Sequence, residues 1–302
     1  MRLVDSDVWL YDYFPGTYTL TGASPMSSSD TCIDIAADRV ILDGASKTIK
    51  GPGTSTSNFG ILVESTANKV ILENITVEDL SQGVHVDGPN FSAVGLTTTG
   101  NKRGTVINGA FAFLIDQTSQ GDNLAGIPAN ALATDFVMVA GAATGAAGAG
   151  ILLNGVNGAF IEDATAEGNG KFGIWLKSAL NNAIDGFVAE SNGIVGVYLG
   201  CNTEGPNGTT CAPEPFSGGN SLSGSVYGAK NSVVSNTGSP LNQKYGVAVD
   251  GGDLHNHITA TTGTGNTLED AVDGNGCGSN RWFGNSFTNS SPAKGAAFFC
   301  IN

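Results

Sequence analysis

The chain is poor in charge, poorer still in cations, and has no long apolar run. Charged residues make up 13% of its 302 residues, and 13 Lys plus Arg face 27 Asp plus Glu, for a formal net charge of −14. That balance argues against a nucleic-acid partner, whose phosphates need clustered cations, and against an anionic membrane surface. The same field repels a polyanionic sugar unless a bound cation bridges the two. No stretch approaches the roughly 20 apolar residues of a membrane span, so no membrane insertion is expected. The opening "MRLVDSDVWLYDY" lacks the basic-then-apolar layout of a secretion signal, so a signal peptide is expected to be absent from this chain.

Cysteine is scarce as well, at five residues. Cys201 and Cys211 flank the short segment "CNTEGPNGTTC", which a disulfide would close. Cys277 and Cys300 form a second candidate pair, 23 residues apart. Cys32 is left over and is expected to be a buried, inert thiol. Two such bridges favour an oxidising compartment: extracellular, at the cell surface, or periplasmic. Sequons at Asn74, Asn90, Asn207 and Asn289 are compatible with secretion.

Glycine, by contrast, is abundant at 44 residues, and it is periodic. A glycine followed by aliphatic-x-aliphatic recurs at Gly60, Gly83, Gly150, Gly173, Gly196 and Gly246, with weaker copies at Gly104 and Gly126. The clearest steps, Gly150 to Gly173 to Gly196, are each 23 residues. The step from Gly196 to Gly246 reads as two turns plus the slack of an insertion. Twelve residues before the marker stands an apolar residue: Ile71, Leu114, Met138, Ile161, Ile184 or Val234. Four residues before it stands Asp79, Asp122, Asn169, Asn192 or Asn242, side chains that favour turns and hydrogen-bond along a stack.

Short β-branched runs broken by Gly, Asn and Asp leave no room for an ordinary helix. A leucine-rich repeat or a propeller blade has a different frame or length. The pattern predicts an all-β, right-handed parallel β-helix (a solenoid) of about ten coils of roughly 23 residues. Residues 1–35 read as an N-terminal cap and 36–302 as the β-helix. An insertion is expected at 201–219 and a disulfide-stapled last coil at 277–302. Cysteines one coil apart in one column lie within disulfide reach, which suits Cys277 and Cys300.

The marker column and "CIDIAADRVILDGASKTIKG" at Cys32–Gly51 resemble the pectin-lyase-like superfamily of right-handed parallel β-helices. The short repeats are similar to those of periplasmic nitrous-oxide-reductase accessory proteins. This resemblance covers residues 32–302 and implies the fold. On activity it is nearly silent, because lyases, hydrolases, epimerases, tailspikes and adhesins share the scaffold. The Gly-His-Gly, Asn-Thr-Asp and Arg-Ile-Lys set of polygalacturonases is missing, and so is the Asp-Pro-His-Asp run of alginate epimerases.

In a strand that starts after the marker, the second and fourth residues point outward. The second column reads Leu62, His85, Val106, Pro128, Leu152, Trp175, Tyr198, Ser221 and Ala248, unusually apolar for an outer face. The fourth reads Glu64, Asp87, Asn108, Asn130, Asn154, Lys177, Gly200 and Asp250. Two readings stand. In one, Trp175 and Tyr198 stack sugar rings while Asn154, Lys177, Asp250 and His85 bond hydroxyls. In the other, a terminal segment, the insertion or another subunit covers the stripe.

Asp250, Asp253, His255 and His257, joined by Asp270 and Asp273, form a candidate metal cluster for Zn²⁺ or Cu²⁺. The carboxylates alone would suit Ca²⁺. Against this stands a plain Gly/Asp-rich turn, and no cofactor is required. Glu162, Asp163 and Asp185 form a local acidic group, and Asp163, Asp185 and Asp250 are the catalytic candidates.

Three function classes remain. The first is a secreted or cell-surface scaffold for assembly, adhesion or glycan binding, with polysaccharide or further copies of itself as partner. The second is a carbohydrate-active lyase, hydrolase or epimerase on the same fold. The third, resting on the resemblance and on His255 and His257, is a periplasmic metal-handling protein.

Overall fold

A computed structural model describes residues 2–4, 10–12, 14–21, 24–25, 31–55, 57–200, 221–223, 226–227, 243–251, 254–275, 279–291 and 301. Among these there is no helix, and every pairing between named strands is parallel. The chain winds as a parallel β-solenoid with three strands per coil, stacked in three vertical files.

The first file is a twelve-stranded sheet that holds the marker strands, among them Gln82–Val86, Arg103–Ile107, Ala125–Asn130, Ala149–Asn154, Phe172–Lys177, Val195–Leu199 and Tyr245–Val249. The second includes Ser92–Val94, Phe113–Ile115, Val137–Val139, Phe160–Glu162 and Ala183–Asp185. The third includes Thr97–Thr99, Thr118–Gln120, Ala142–Thr144 and Thr165–Glu167. In the early coils Val40–Lys50 and Ile71–Glu78 run through both the second and third files, which fuses these into one 21-stranded sheet. Of the segment expected to be a cap, Leu10–Asp12 pairs with Ile33–Ile35 and Arg2–Val4 with Gly16–Leu20.

Equivalent residues lie directly above one another. Ile151 pairs with Ile174, Ile174 with Val197, and Val197 with Val247, and all four are fully buried. Leu114, Met138, Ile161 and Ile184 make a second buried column in the next file. Stacking like on like lets β-branched and aliphatic side chains fill one continuous core.

The marker is glycine because two coils approach closely there. A Cβ on Gly83 would lie 2.8 Å from the Gly104 carbonyl oxygen, one on Gly150 2.9 Å from that of Gly173, and one on Gly196 2.8 Å from that of Gly246. Each corner between files turns through a single left-handed residue, where Asn, Asp and Gly cost least. Asn74, Gly95, Asp116, Ala140, Asp163 and Gly186 form one such column, with φ between 49° and 62°.

Inside the third corner runs a buried polar ladder. Asn101 accepts the Leu80 N–H at 3.0 Å, Asp122 that of Asn101 at 2.8 Å, and Asn169 that of Ala146 at 3.0 Å. Asn192 accepts from Asn169 at 3.1 Å, and Gln243 from Asn192 at 3.3 Å. These amides satisfy backbone groups that the tight turn takes off the strand ladders.

Four expectations about position need correction. The step from Gly196 to Gly246 is one coil, since Val197 pairs directly with Val247. At the coil of Gly83 the inward residue is Leu72; Ile71 points out, in register with Ser92 and Phe113 of the following coils. Asp79 is a left-handed corner residue instead of a ladder member, and the ladder at that level is carried by Asn58 and Asn101. Ser221 belongs to the second file, paired with Ala183 and His257, so Ala248 follows Tyr198 in the marker column. Val234, Asn242 and the insertion at 201–219 lie outside the described residues, as do Cys201, Cys211, Cys277 and Cys300. Cys32 is half-buried against the core.

Two substitutions test this architecture. A Cβ on Gly173 would sit 2.5 Å from the Gly196 carbonyl oxygen. Gly173→Ala should therefore cost about 1–3 kcal/mol in denaturant unfolding, as overpacking does. Asp122 has the only carboxylate in the Asn101–Gln243 run of the ladder, and the next coil carries Ala146 at its equivalent position. Burial pushes its pKa up to about 6, against hydrogen bonds from Ser119 and Asn101 that pull it down. The unfolded chain titrates near 4, so the folded state favours the neutral acid. That contribution is full below about pH 4 and lost as pH rises through 6. Asp122→Asn should stabilise the protein by about 1–2 kcal/mol at pH 7, and the gain should vanish when unfolding is repeated near pH 4.

Candidate functional site

The outer face of the first file carries an open groove of about 320 Å³, lined by Gln82, His85, Arg103, Val106, Asn108, Pro128, Asn130, Leu152 and Asn154. It exists because three outward columns of the marker strands meet there. The residue before the marker glycine supplies Gln82 and Arg103. The second position supplies His85, Val106, Pro128 and Leu152, and the fourth supplies Asn108, Asn130 and Asn154.

Polar side chains along one wall form a chain of donors. Asn154 donates to Asn130 at 3.4 Å, Asn130 to Asn108 at 2.7 Å, and Asn108 to Asp87 at 2.7 Å. Asn130 spends one N–H and its carbonyl on this run, leaving a second N–H and an acceptor lone pair for a ligand, while the Asn108 amide nitrogen also reaches His85 Nε2 at 3.3 Å. His85 closes the end of the groove. Its ring lies 5.0 Å from Phe59, with Nδ1 2.6 Å from Gln82 Oε1 and Nε2 3.0 Å from Asp87 Oδ1. Arg103 has no acidic partner within ion-pair reach among the described residues. A guanidinium in that position offers a planar fork of donors to whatever enters. Val106, Pro128 and Leu152 make an apolar floor.

Of the expected ligand-binding residues, His85 and Asn154 line the groove. Lys177 follows Asn154 one coil on, its Nζ 5.9 Å from the Trp175 ring centre. Trp175 is half-buried and donates from Nε1 to the Gly200 carbonyl at 2.6 Å. Tyr198 is fully buried even though it stands in an outward column. Its ring packs on Phe172 at 4.9 Å and stacks on Trp175 at 6.2 Å, and its hydroxyl donates to Asp250. A ring so enclosed presents no face to a sugar, so the expected Trp175–Tyr198 platform narrows to Trp175.

The acidic candidates are dispersed. Asp163 sits at a left-handed corner and Asp185 on the outside of the second file, away from the groove. Asp250 is buried beneath Tyr198. Asp270 accepts from Asn266, Thr288 and Asn289, and Asp273 from Asn275, Asn280 and Trp282. These two carboxylates are thus engaged with amide, indole and backbone N–H groups. His255 occupies a corner at φ 61°, His257 is exposed on the second file, and Asp253 lies outside the described residues. No group of three or more His, Cys, Asp or Glu close enough to hold a metal occurs among the described residues.

Gln82 and Arg103 were missed because only the second and fourth positions were read as outward. The residue just before the glycine is outward too, and reading that column would have found both.

A family of proteins described as periplasmic copper-binding protein (NosD) matches residues 33–207, more than half of the chain. The chain belongs to the NosD family. This is a right-handed β-helix family, in keeping with the three files above. No curated protein matches the sequence. Among solved structures, the chain is similar to the Dettilon tailspike protein (gp208), at TM-score 0.67 and 14% identity over 97% of this chain. It spans 59% of that protein's length. It is also similar to the mannuronan C-5 epimerase AlgE6 A-module of Azotobacter vinelandii, at TM-score 0.52 and 13% identity, covering 92% of this chain and 79% of that one. An alginate lyase from Paenibacillus sp. str. FPU-7 gives TM-score 0.53 and 12% identity, covering 86% and 94%. At such identities the likeness is one of fold. Among the described residues the copper of the family's description meets no ligand set: no group of three or more His, Cys, Asp or Glu stands close enough to hold a metal, and Met138 is in the core.

If Tyr198 supports the fold, Tyr198→Phe should cost about 1–2 kcal/mol in chemical unfolding, because a buried acceptor loses a hydroxyl donor. Saccharide retention on an affinity gel should stay unchanged.

Proposed function

We propose that this protein is a glycan-binding β-helix working outside the cytoplasm, with the groove from His85 to Asn154 as its saccharide site. The observation that carries the reading is the pairing of a run of asparagine amides with an apolar floor in one open groove. Sugars present hydroxyls along their edges and C–H groups on their faces. Directional amides beside a Val–Pro–Leu surface match that mixture. Successive coils repeat every 4.8 Å or so, close to the rise of a pyranose along an extended chain. Lys177 and Trp175 continue the site by one coil, the first for hydroxyls or carboxylates and the second for stacking.

The similarity to a tailspike, an alginate epimerase and an alginate lyase supports a carbohydrate-related role at the level of the scaffold. A second reading, a carbohydrate-active enzyme, has one observation in its favour: His85, bonded to Asp87, lines the same groove as Arg103.

Calorimetric titration with a panel of neutral and uronate oligosaccharides tests the proposal. Wild type should bind at least one class. Arg103→Ala and Asn130→Ala should each weaken that binding by about tenfold, the worth of one or two hydrogen bonds to a ligand, with the thermal midpoint nearly unchanged. Loss confined to uronates in Arg103→Ala assigns the guanidinium to a carboxylate. Unsaturated products or new reducing ends from wild type, absent from His85→Ala, decide for the enzyme. Equal affinities in wild type and both groove variants would remove the groove from the function.

A further inference from the structure

We propose that the groove receives the end of an acidic saccharide: a carboxylate of the terminal sugar pairs with Arg103, the chain runs toward Lys177, and it stops at His85. The inference rests on the saccharide reading of the groove and adds the class of sugar and the part of the chain that enters.

The cations point to the class. Arg103 is half-buried in the groove wall, and its guanidinium has no ion pair or hydrogen bond to another side chain among the described residues. Its planar fork of donors matches the two oxygens of a carboxylate better than it matches a single hydroxyl. Lys177 supplies a second cation three coils on. Between the two, the outward columns hold no carboxylate: Val106, Pro128 and Leu152 make the floor, and Asn108, Asn130 and Asn154 the facing wall.

On the other side of His85 the sign reverses. Glu64 stands one coil before Asp87 in the fourth column, and Asp34 precedes Leu62 and His85 in the second. One Asp34 oxygen is buried without a hydrogen-bond partner, and its pKa is raised, by burial first and by the Glu64 charge second. A further anion brought beside it meets the same penalty. The described residues of these columns before His85 include no Lys or Arg. With coils about 4.8 Å apart, Glu64 and Asp34 lie about 5 and 10 Å beyond the rim, a range over which physiological salt screens charge only in part.

Shape agrees with charge. The His85 ring, fixed by Phe59, Gln82 and Asp87, occupies the floor column at this end. From that rung to Asn154 the groove spans about 14 Å, and its volume of about 320 Å³ is at the small end for ligand sites. It has room for a short terminal stretch. A long polyanion laid along the stack would cross Glu64 and Asp34 on a chain of net charge −14, whereas one that enters by its end avoids them.

Calorimetry with uronate oligomers of defined length, expressed per mole of saccharide chains, tests this. Wild type should bind a tetramer and a long polymer of the same uronate with equal dissociation constants. A site that takes internal stretches would instead bind the polymer more tightly per chain, in proportion to its length. Arg103→Gln should weaken the uronate tetramer about tenfold, as loss of a charge-assisted pair does, and leave a neutral tetramer of equal length unaffected. Asp34→Asn combined with Glu64→Gln, both outside the groove, should keep tetramer affinity and raise polymer affinity about tenfold by lifting a like-charge barrier. A wild type that prefers the polymer per chain overturns the inference, and so does a double variant that binds the polymer no better. Uronates bound no better than neutral tetramers, and equally by Arg103→Gln, overturn it too. In all three cases the groove remains a saccharide site. Failure of wild type to bind any saccharide removes the groove reading itself, and this inference with it.

Discussion

At the start of the marker strands from Gly60 to Gly196 a glycine lies so close to the next coil that a methyl group would strike that coil's glycine carbonyl. This contact fixes the distance between coils and the register of the whole stack. Once Gly150, Gly173 and Gly196 are superposed, the residues that follow them are superposed too, and Ile151, Ile174 and Val197 have nowhere to go but one column. A slip of one residue would turn that column outward and bring polar neighbours into the core. The close approach therefore does more for specificity than any single apolar contact.

The corners complete the constraint. A chain that must turn three times in some 23 residues leaves backbone groups unpaired at each bend, and the core offers no water to take them. Asn101, Asp122, Asn169, Asn192 and Gln243 take up that demand at one corner by accepting the N–H of the coil before. Asn182 does the same for Ala159 at another. The low charge of the chain follows from this plan. Neutral amides both donate and accept along a stack, whereas carboxylates in file would repel one another. Asp122 shows the cost of the exception, with a pKa displaced by the burial that its amide neighbours tolerate.

The same plan explains which features could be read from the sequence. The glycine column and the −4 column were legible because both obey hard steric or hydrogen-bonding rules and vary little in chemistry. Position failed where the chain departs from one coil per 23 residues. The 50-residue coil between Val197 and Val247 mimics two short coils in length, and only the pairing shows that it is one. Ile71 and Leu72 are both apolar, so no composition rule could say which faces inward. Tyr198 lies in an outward column by arithmetic, yet Phe172, Trp175 and a buried Asp250 surround it. Alternation gives the direction of a side chain but is blind to what is laid over it. Arg103 went unnoticed for a simpler reason: it precedes the glycine that was used to start the count.

Because the core is set by inward columns and corners, the three outward faces are nearly free to differ. The first file presents amides, a histidine and an arginine around an apolar floor; the second mixes aromatic and aliphatic residues with Glu73, Glu162 and Asp185; the third presents threonines and small residues such as Thr97, Thr99, Ala142 and Thr165. None of these choices disturbs the glycine contact or the inner ladder. That independence is the physical reason why a shared β-helix says little about activity, and why proteins with about one residue in eight in common superpose along most of this chain. Function on such a scaffold has to be sought where an outward column breaks the pattern expected of a solvated face. Arg103, without an acidic partner among the described residues, and Phe111, at a corner suited to asparagine, are two such breaks. They lie on one coil, Arg103 in the first file and Phe111 at the corner that follows it.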